Sequence, residues 1–119
     1  MGDVTSKVSE FFQFFSSQNL EQMGRFLTDD ARLLFPKTQP LIGKDRILKF
    51  FQILFRQYPH LTFTVEDIIA QQDKVAVHWT NKGATRKNEP YENEGVTLFF
   101  FENGRVYLMS DFFKDTGKF

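Results

Sequence analysis

The sequence predicts an α+β fold in which an antiparallel sheet carries its helices on one face. Three observations predict it. Apolar residues recur at helical spacing through the first half of the chain and alternate at strand spacing through the second. Asn103-Gly104, the strongest short hairpin signal, falls between the last two strands. Strands that follow helices and are joined as hairpins form an antiparallel sheet with segregated helices, not a βαβ array.

Each element has its own justification. Val4, Val8, Phe11, Phe12 and Phe15 make one helical stripe, with Thr5 or Ser6 as its expected cap. Ser16 to Asn19 interrupts the pattern. A short second helix then aligns Leu20, Met23, Phe26 and Leu27, and Thr28-Asp29-Asp30 is expected to turn. Ala31 to Phe35 suits a short strand, stopped by Pro36, and Pro36 to Gly43 is expected as a loop. The third helix is predicted over Asp45 to Tyr58. Positions 47, 50, 51, 54, 55 and 58 form a wide apolar stripe, Asp45 suits the positive helix start, and Pro59 marks the end. Leu61 to Glu66 alternates as a half-buried strand, then slips at Asp67, where a bulge is expected. Val75 to about Arg86, about Tyr91 to Phe101, and Val106 to Phe113 complete four long strands.

Composition bounds the function. The chain has 119 residues, which predicts one domain over 1–119. Its 15 basic and 15 acidic residues balance and are spread, so no basic patch is offered to nucleic acid or an anionic membrane. Without cysteine there is no disulfide, thiolate nucleophile or cysteine metal site. His60 and His78 have no carboxylates at ligand spacing, so no metal site is expected. The longest apolar run, Leu98 to Phe101, is far short of the roughly 20 residues of a membrane helix. No targeting segment is evident, and a cytoplasmic location is the expectation. The unusual number is 16 phenylalanines, enough to line a core, a cavity or an interface.

Several stretches together carry a family resemblance. They are Phe26-Leu27-Thr28-Asp29-Asp30-Ala31, Pro40 to Ile47 followed by Phe50-Phe51, Lys74 to Gly83, Tyr91 to Val96, Phe101 to Val106, and Ser110-Asp111-Phe112-Phe113. In order and spacing they resemble the SnoaL-like branch of the nuclear transport factor 2 / ketosteroid isomerase superfamily, over nearly the whole chain. The resemblance implies three helices and a curved antiparallel sheet, mixed at its edge, wrapped around the long helix. This is a cone-shaped, cystatin-like α+β barrel with an apolar pocket at its open end. It also implies a homodimer through the outer face of the sheet and no cofactor. The same scaffold hosts isomerases, cyclases, hydrolases, dehydratases and proteins without chemistry, so fold alone does not set function.

Strand parity selects the candidate residues. Tyr107, Met109, Asp111 and Phe113 share one face of the last strand, and Asn93, Gly95, Thr97, Phe99 and Phe101 one face of the strand before it. Asp111 is the expected catalytic base. A carboxylate among apolar residues is costly unless paired or neutral, and burial raises its pKa toward a useful range. The resemblance implies the same role, since SnoaL-type cyclases place a basic carboxylate similarly. The competing reading is a rim position paired with Arg or Lys. Tyr91 and Asn93 resemble a Tyr-x-Asn pattern of some relatives, although Asn93 also suits a backbone-bonding turn role. Trp79 keeps phase with Val75 and Val77 and is expected inside, with Thr97, Phe99, Tyr107, Met109, Phe15, Phe51 and Phe55 as further substrate-binding candidates. His78 is expected outside, at the surface or a dimer interface, and His60 in solvent.

Departures from the family narrow the chemistry. By rough alignment the base of ketosteroid isomerase falls near Phe35 and its protonated Asp near Thr97, so steroid isomerisation is disfavoured. The Asp-Arg-Asp set of epoxide hydrolase relatives cannot be completed around Asp111, and His78 has the wrong parity for the His-Asp pair of dehydratases. The function expected is binding of a small apolar or aromatic molecule, with cofactor-independent proton transfer by Asp111 of an isomerase, cyclase or lyase type. The alternative is a non-catalytic ligand-binding or protein-interaction module.

Overall fold

The computed structural model describes residues 4–118. Three α-helices and six strands follow in the order α1 (Val4–Ser16), α2 (Leu20–Arg25), β1 (Leu27–Leu34), β2 (Leu41–Ile42), α3 (Lys44–Gln57), β3 (Thr62–Gln71), β4 (Lys74–Ala84), β5 (Pro90–Glu102) and β6 (Arg105–Phe113), with a final 3-10 turn at Thr116–Lys118. The strands form one sheet in the order β2-β1-β6-β5-β4-β3. Every pair is antiparallel except β1 with β6, so the sheet is mixed. It does not close: β2 and β3 are its two edges.

The helices sit on one face, as the patterning predicts, and hold the two ends of the sheet. α1 packs on β3 and α3 on β1. Their buried stripes (Val8, Phe11, Phe12 and Phe15 on one, Ile47, Phe51 and Phe55 on the other) join a single core with the inner faces of β4, β5 and β6. One core shared by helices at both ends requires the sheet between them to curl.

The devices that shape the sheet are local. Glu66 is the extra residue of a bulge between Val65–Trp79 and Asp67–His78, where the alternation slips. Asn103 and Gly104 both take positive φ, 52° and 80°, as a two-residue hairpin requires. A second bulge follows that hairpin. Phe101 pairs with Val106 and Phe100 with Leu108, which leaves Tyr107 without a partner.

Three expectations are corrected. The second helix stops at Arg25, and Leu27 to Asp30, expected as helix end and turn, belong to β1. Pairing decides this: Leu27 lies beside Val106, whose N–H donates to the Phe26 carbonyl at 2.6 Å. The loop before the third helix contains a two-residue strand, β2, bonded to β1 through Gly43 N–H and the Ala31 carbonyl at 2.7 Å. Thr5 and Ser6 lie inside α1 and not at its cap. No helix among the described residues is long and apolar enough to cross a membrane.

Gly95 is the tightest point of the sheet. A Cβ there would stand 2.6 Å from Trp79 Cζ2 and collide with the Phe112 carbonyl oxygen. Gly95→Ala is therefore expected to destabilise the fold by about 1–3 kcal/mol, the usual cost of overpacking. Urea unfolding measures it, and an unchanged midpoint would show that Trp79 is not seated as described.

Candidate functional site

Alternation along β4 and β5 builds the floor of the site. Val75, Val77, Trp79 and Asn81 face inward from β4, and Tyr91, Asn93, Gly95, Thr97, Phe99 and Phe101 from β5. Register then stacks them in rows: Val77–Thr97–Asp111, next Trp79–Gly95–Phe113, next Asn81–Asn93. Because Gly95 has no side chain, the Trp79 indole lies over it and reaches the neighbouring row. There Trp79 Nε1–H donates to Thr97 Oγ1 at 2.9 Å, and the Thr97 hydroxyl donates to Asp111 Oδ1 at 2.5 Å.

Helix residues complete the wall. Phe63, Trp79, Phe113, Phe35, Phe50, Phe51 and Phe15 touch in sequence, and Phe15 returns to Phe63, with centroid separations from 4.8 to 6.0 Å. The contacts close into a belt of seven aromatic rings. Most meet edge to face, an arrangement worth about 0.5–1.5 kcal/mol per pair beyond burial. All of these rings but Phe50 line a cavity, with Thr97, Met109 and Asp111 on one side of the Trp79 row, Asn81 and Tyr91 on the other, and Tyr58 and Leu61 also in the wall. The envelope, mouth included, encloses about 490 Å³, while the space open to a water-sized occupant is about 30 Å³. That is room for one or two waters. A larger guest has to tilt rings aside.

Asp111 is the charge in this apolar wall. Among the described residues Thr97 alone bonds its carboxyl, and no cation pairs with it. The residue is only partly buried overall, but its carboxyl faces the aromatic cavity. Burial pushes the Asp111 carboxyl up to about 7, with the Thr97 hydrogen bond pulling weakly the other way. The carboxyl can therefore both accept and deliver a proton near neutral pH.

The structure brings together most of the predicted site and separates part of it. Asp111, Thr97, Trp79, Tyr91, Met109, Phe15 and Phe51 all line the cavity. Phe55 and Phe99 are core: Phe55 packs on Phe15 at 5.0 Å and Phe99 on Phe11 at 5.7 Å, outside the cavity wall. Asn93 is buried but engaged, since its amide donates to the Asp115 carbonyl at 3.0 Å and accepts from Asp115 N–H at 3.3 Å. Its backbone-bonding role is the one observed. Tyr107 is a correction. The bulge turns it to the outer face, 40% exposed, beside Phe100. Asn81 was not a candidate, although its parity with Val75, Val77 and Trp79 marks it as inward.

His78 faces outward, and here too the pairing brings what spacing hid. Its ring nitrogens stand 2.9 Å from Asp67 and 2.6 Å from Glu94, on the two neighbouring strands. The Asp67 bond first, and the Glu94 bond next, raise the imidazole above its ordinary pKa. Both nitrogens are thereby occupied. Among the described residues no group of three or more His, Asp or Glu is arranged to hold a metal. His60 is exposed in the loop before β3.

Fold and site together define a cone-shaped α+β protein of the nuclear transport factor 2-like type. The SnoaL-like domain model matches residues 8–109, and the chain belongs to that family. It is similar to an NTF2-like protein of unknown function from Burkholderia pseudomallei K96243, at 20% identity over 98% of this chain and 94% of that one, with a TM-score of 0.89. It is also similar to a protein from Jannaschia sp. CCS1 assigned as a SnoaL-like polyketide cyclase, at 22% identity, 96% and 90% coverage and a TM-score of 0.80. TerC, co-crystallised with polyporic acid, superposes at 17% identity, 95% and 92% coverage and a TM-score of 0.85. At these identities the likeness is one of fold. No curated protein matches the chain in sequence.

The electrostatics of Asp111 have a pH signature. The carboxyl titrates near 3.8 when unfolded and at about 7 when folded. Between those values the folded state keeps a proton that the unfolded state has lost. Stability therefore falls as pH rises through this window and levels off above it. Asp111→Asn keeps an acceptor for Thr97 and removes the charge. Relative to the natural chain it is expected to gain on the order of 2–4 kcal/mol between pH 4 and pH 8, allowing for partial exposure. The His78 contribution, present below its ordinary pKa and lost at higher pH, is common to both proteins and cancels. A difference independent of pH in urea melts would contradict the assignment.

Proposed function

We propose that the chain binds a small, mostly apolar or aromatic molecule within the aromatic belt and exchanges a proton with it through Asp111. The observation that carries this reading is the inward-facing carboxyl, bonded to Thr97 and to no cation, in an otherwise aromatic cavity. As a base, Asp111 removes a proton from a carbon or hydroxyl of the bound molecule and returns it elsewhere on the same molecule, as an isomerase or cyclase step requires. Thr97, held by Trp79, stabilises the carboxylate before transfer and fixes which oxygen faces the guest. The apolar wall excludes water, which keeps the base strong and the abstracted proton local. The SnoaL-like family membership and the cyclase assignment of a structural relative are consistent with this class of chemistry.

A screen of small aromatic ketones and enols by melting temperature tests the proposal. Stabilising compounds are expected, with a shift that changes through the titration of Asp111 in the natural chain and no longer varies with pH over that range in Asp111→Asn. If no compound stabilises the protein, or if the pH dependence of the shift survives Asp111→Asn, the proton-transfer reading fails, and a non-catalytic module of the same fold takes its place.

A further inference from the structure

Asn81 extends the inward row of β4 past Trp79, and it is 6% exposed. Its side-chain oxygen, Oδ1, is fully buried and has no hydrogen-bond partner among the described residues. Buried polar atoms are nearly always satisfied, so an orphan that lines a cavity points to something the cavity takes up. The other inward amide, Asn93, shows the contrast: both its amide nitrogen and its oxygen are spent on Asp115. Asn81 faces the cavity beside Tyr58 and Tyr91, whose rings lie 4.6 Å apart.

Register fixes where this acceptor stands relative to the base. The Asn81–Asn93 row and the Thr97–Asp111 row lie on either side of the Trp79–Gly95–Phe113 row. Four residues along a strand separate them, about 13 Å of backbone at the usual rise. A guest gripped by the belt therefore has one end toward Asp111 and the other toward Asn81. An amide oxygen accepts and cannot donate. The group it takes is an O–H or N–H.

Building on the proposed proton-transfer site, we propose that Asn81 is its specificity-determining residue. It selects flat apolar molecules that carry a hydrogen-bond donor, a hydroxyl or an N–H, at the end remote from Asp111. A molecule of the same shape without the donor leaves Oδ1 unpaired and is rejected, because the cost of the orphan then persists in the complex.

The test uses 2-naphthol and its methyl ether, 2-methoxynaphthalene, as matched probes, titrated by calorimetry against the natural chain, Asn81→Leu and Asp111→Asn. The natural chain is expected to prefer the naphthol on the order of 10-fold. Asn81→Leu is expected to erase that preference while still binding the ether, and Asp111→Asn to retain it. Without any ligand, Asn81→Leu is expected to melt a few degrees higher, since an orphan acceptor is replaced by an apolar group of similar size. Equal binding of both probes to the natural chain overturns the role of Asn81 and leaves the pocket reading standing. A preference that survives Asn81→Leu but disappears in Asp111→Asn assigns the donor to the base, and also overturns it. A lower melting temperature for Asn81→Leu shows that the amide is structural. If neither probe binds the natural chain, the pocket reading falls, and this inference with it.

Discussion

The Trp79 indole approaches Gly95 more closely than any side chain at position 95 would allow. Much else in the molecule depends on that seat. With the ring lying over β5, its N–H is delivered to the adjacent row and finds Thr97, which in turn fixes Asp111. The same ring forms one link of the aromatic belt, between Phe63 and Phe113. Packing and polar chemistry are thus set by one contact. A larger residue at 95 would displace the ring from the belt and its N–H from Thr97 together.

A second constraint follows from what surrounds Asp111. Folding places a carboxyl against rings that cannot solvate its charge, and a single hydroxyl donor does not offset the loss of water. The fold tolerates this group at a cost to its own stability. Asn81, with a buried oxygen and no partner, is a second group of the same kind. Both lie on the cavity, one on each side of the Trp79 row, and both would be cheaper as apolar residues. Stability alone gives no reason for either, whereas a guest that exchanges a proton with one and donates a hydrogen bond to the other gives a reason for both.

Much of this was legible in the sequence, and the rest was not, for reasons that particular residues make plain. Period-3.6 and period-2 patterns locate the helices and four long strands because each buries one face. The slip at Asp67 announces the bulge at Glu66, and Asn103-Gly104 announces the hairpin. Trp79 and Asp111 are placed inside by parity. Parity failed where an extra residue enters unannounced: nothing in Val106-Tyr107-Leu108 signals the bulge that turns Tyr107 outward. Pairing across the chain decided what local pattern could not. Leu27 to Asp30 became strand by lying beside β6, and Asp67 and Glu94 reached His78 from neighbouring strands. Asp115, from beyond β6, likewise occupies the Asn93 amide that the sequence offers for ligand binding.

The fold holds Asp111 as a weak acid poised near neutrality on the wall of an aromatic cavity. The direct measurement is a site-resolved titration of its side-chain carboxyl by carbon NMR, with Asp111→Asn identifying the signal. An apparent pKa of about 7 is expected. A value in the ordinary carboxylate range, near 4, would show the group to be solvated, and neither proton exchange by Asp111 nor its pH-dependent stability would stand.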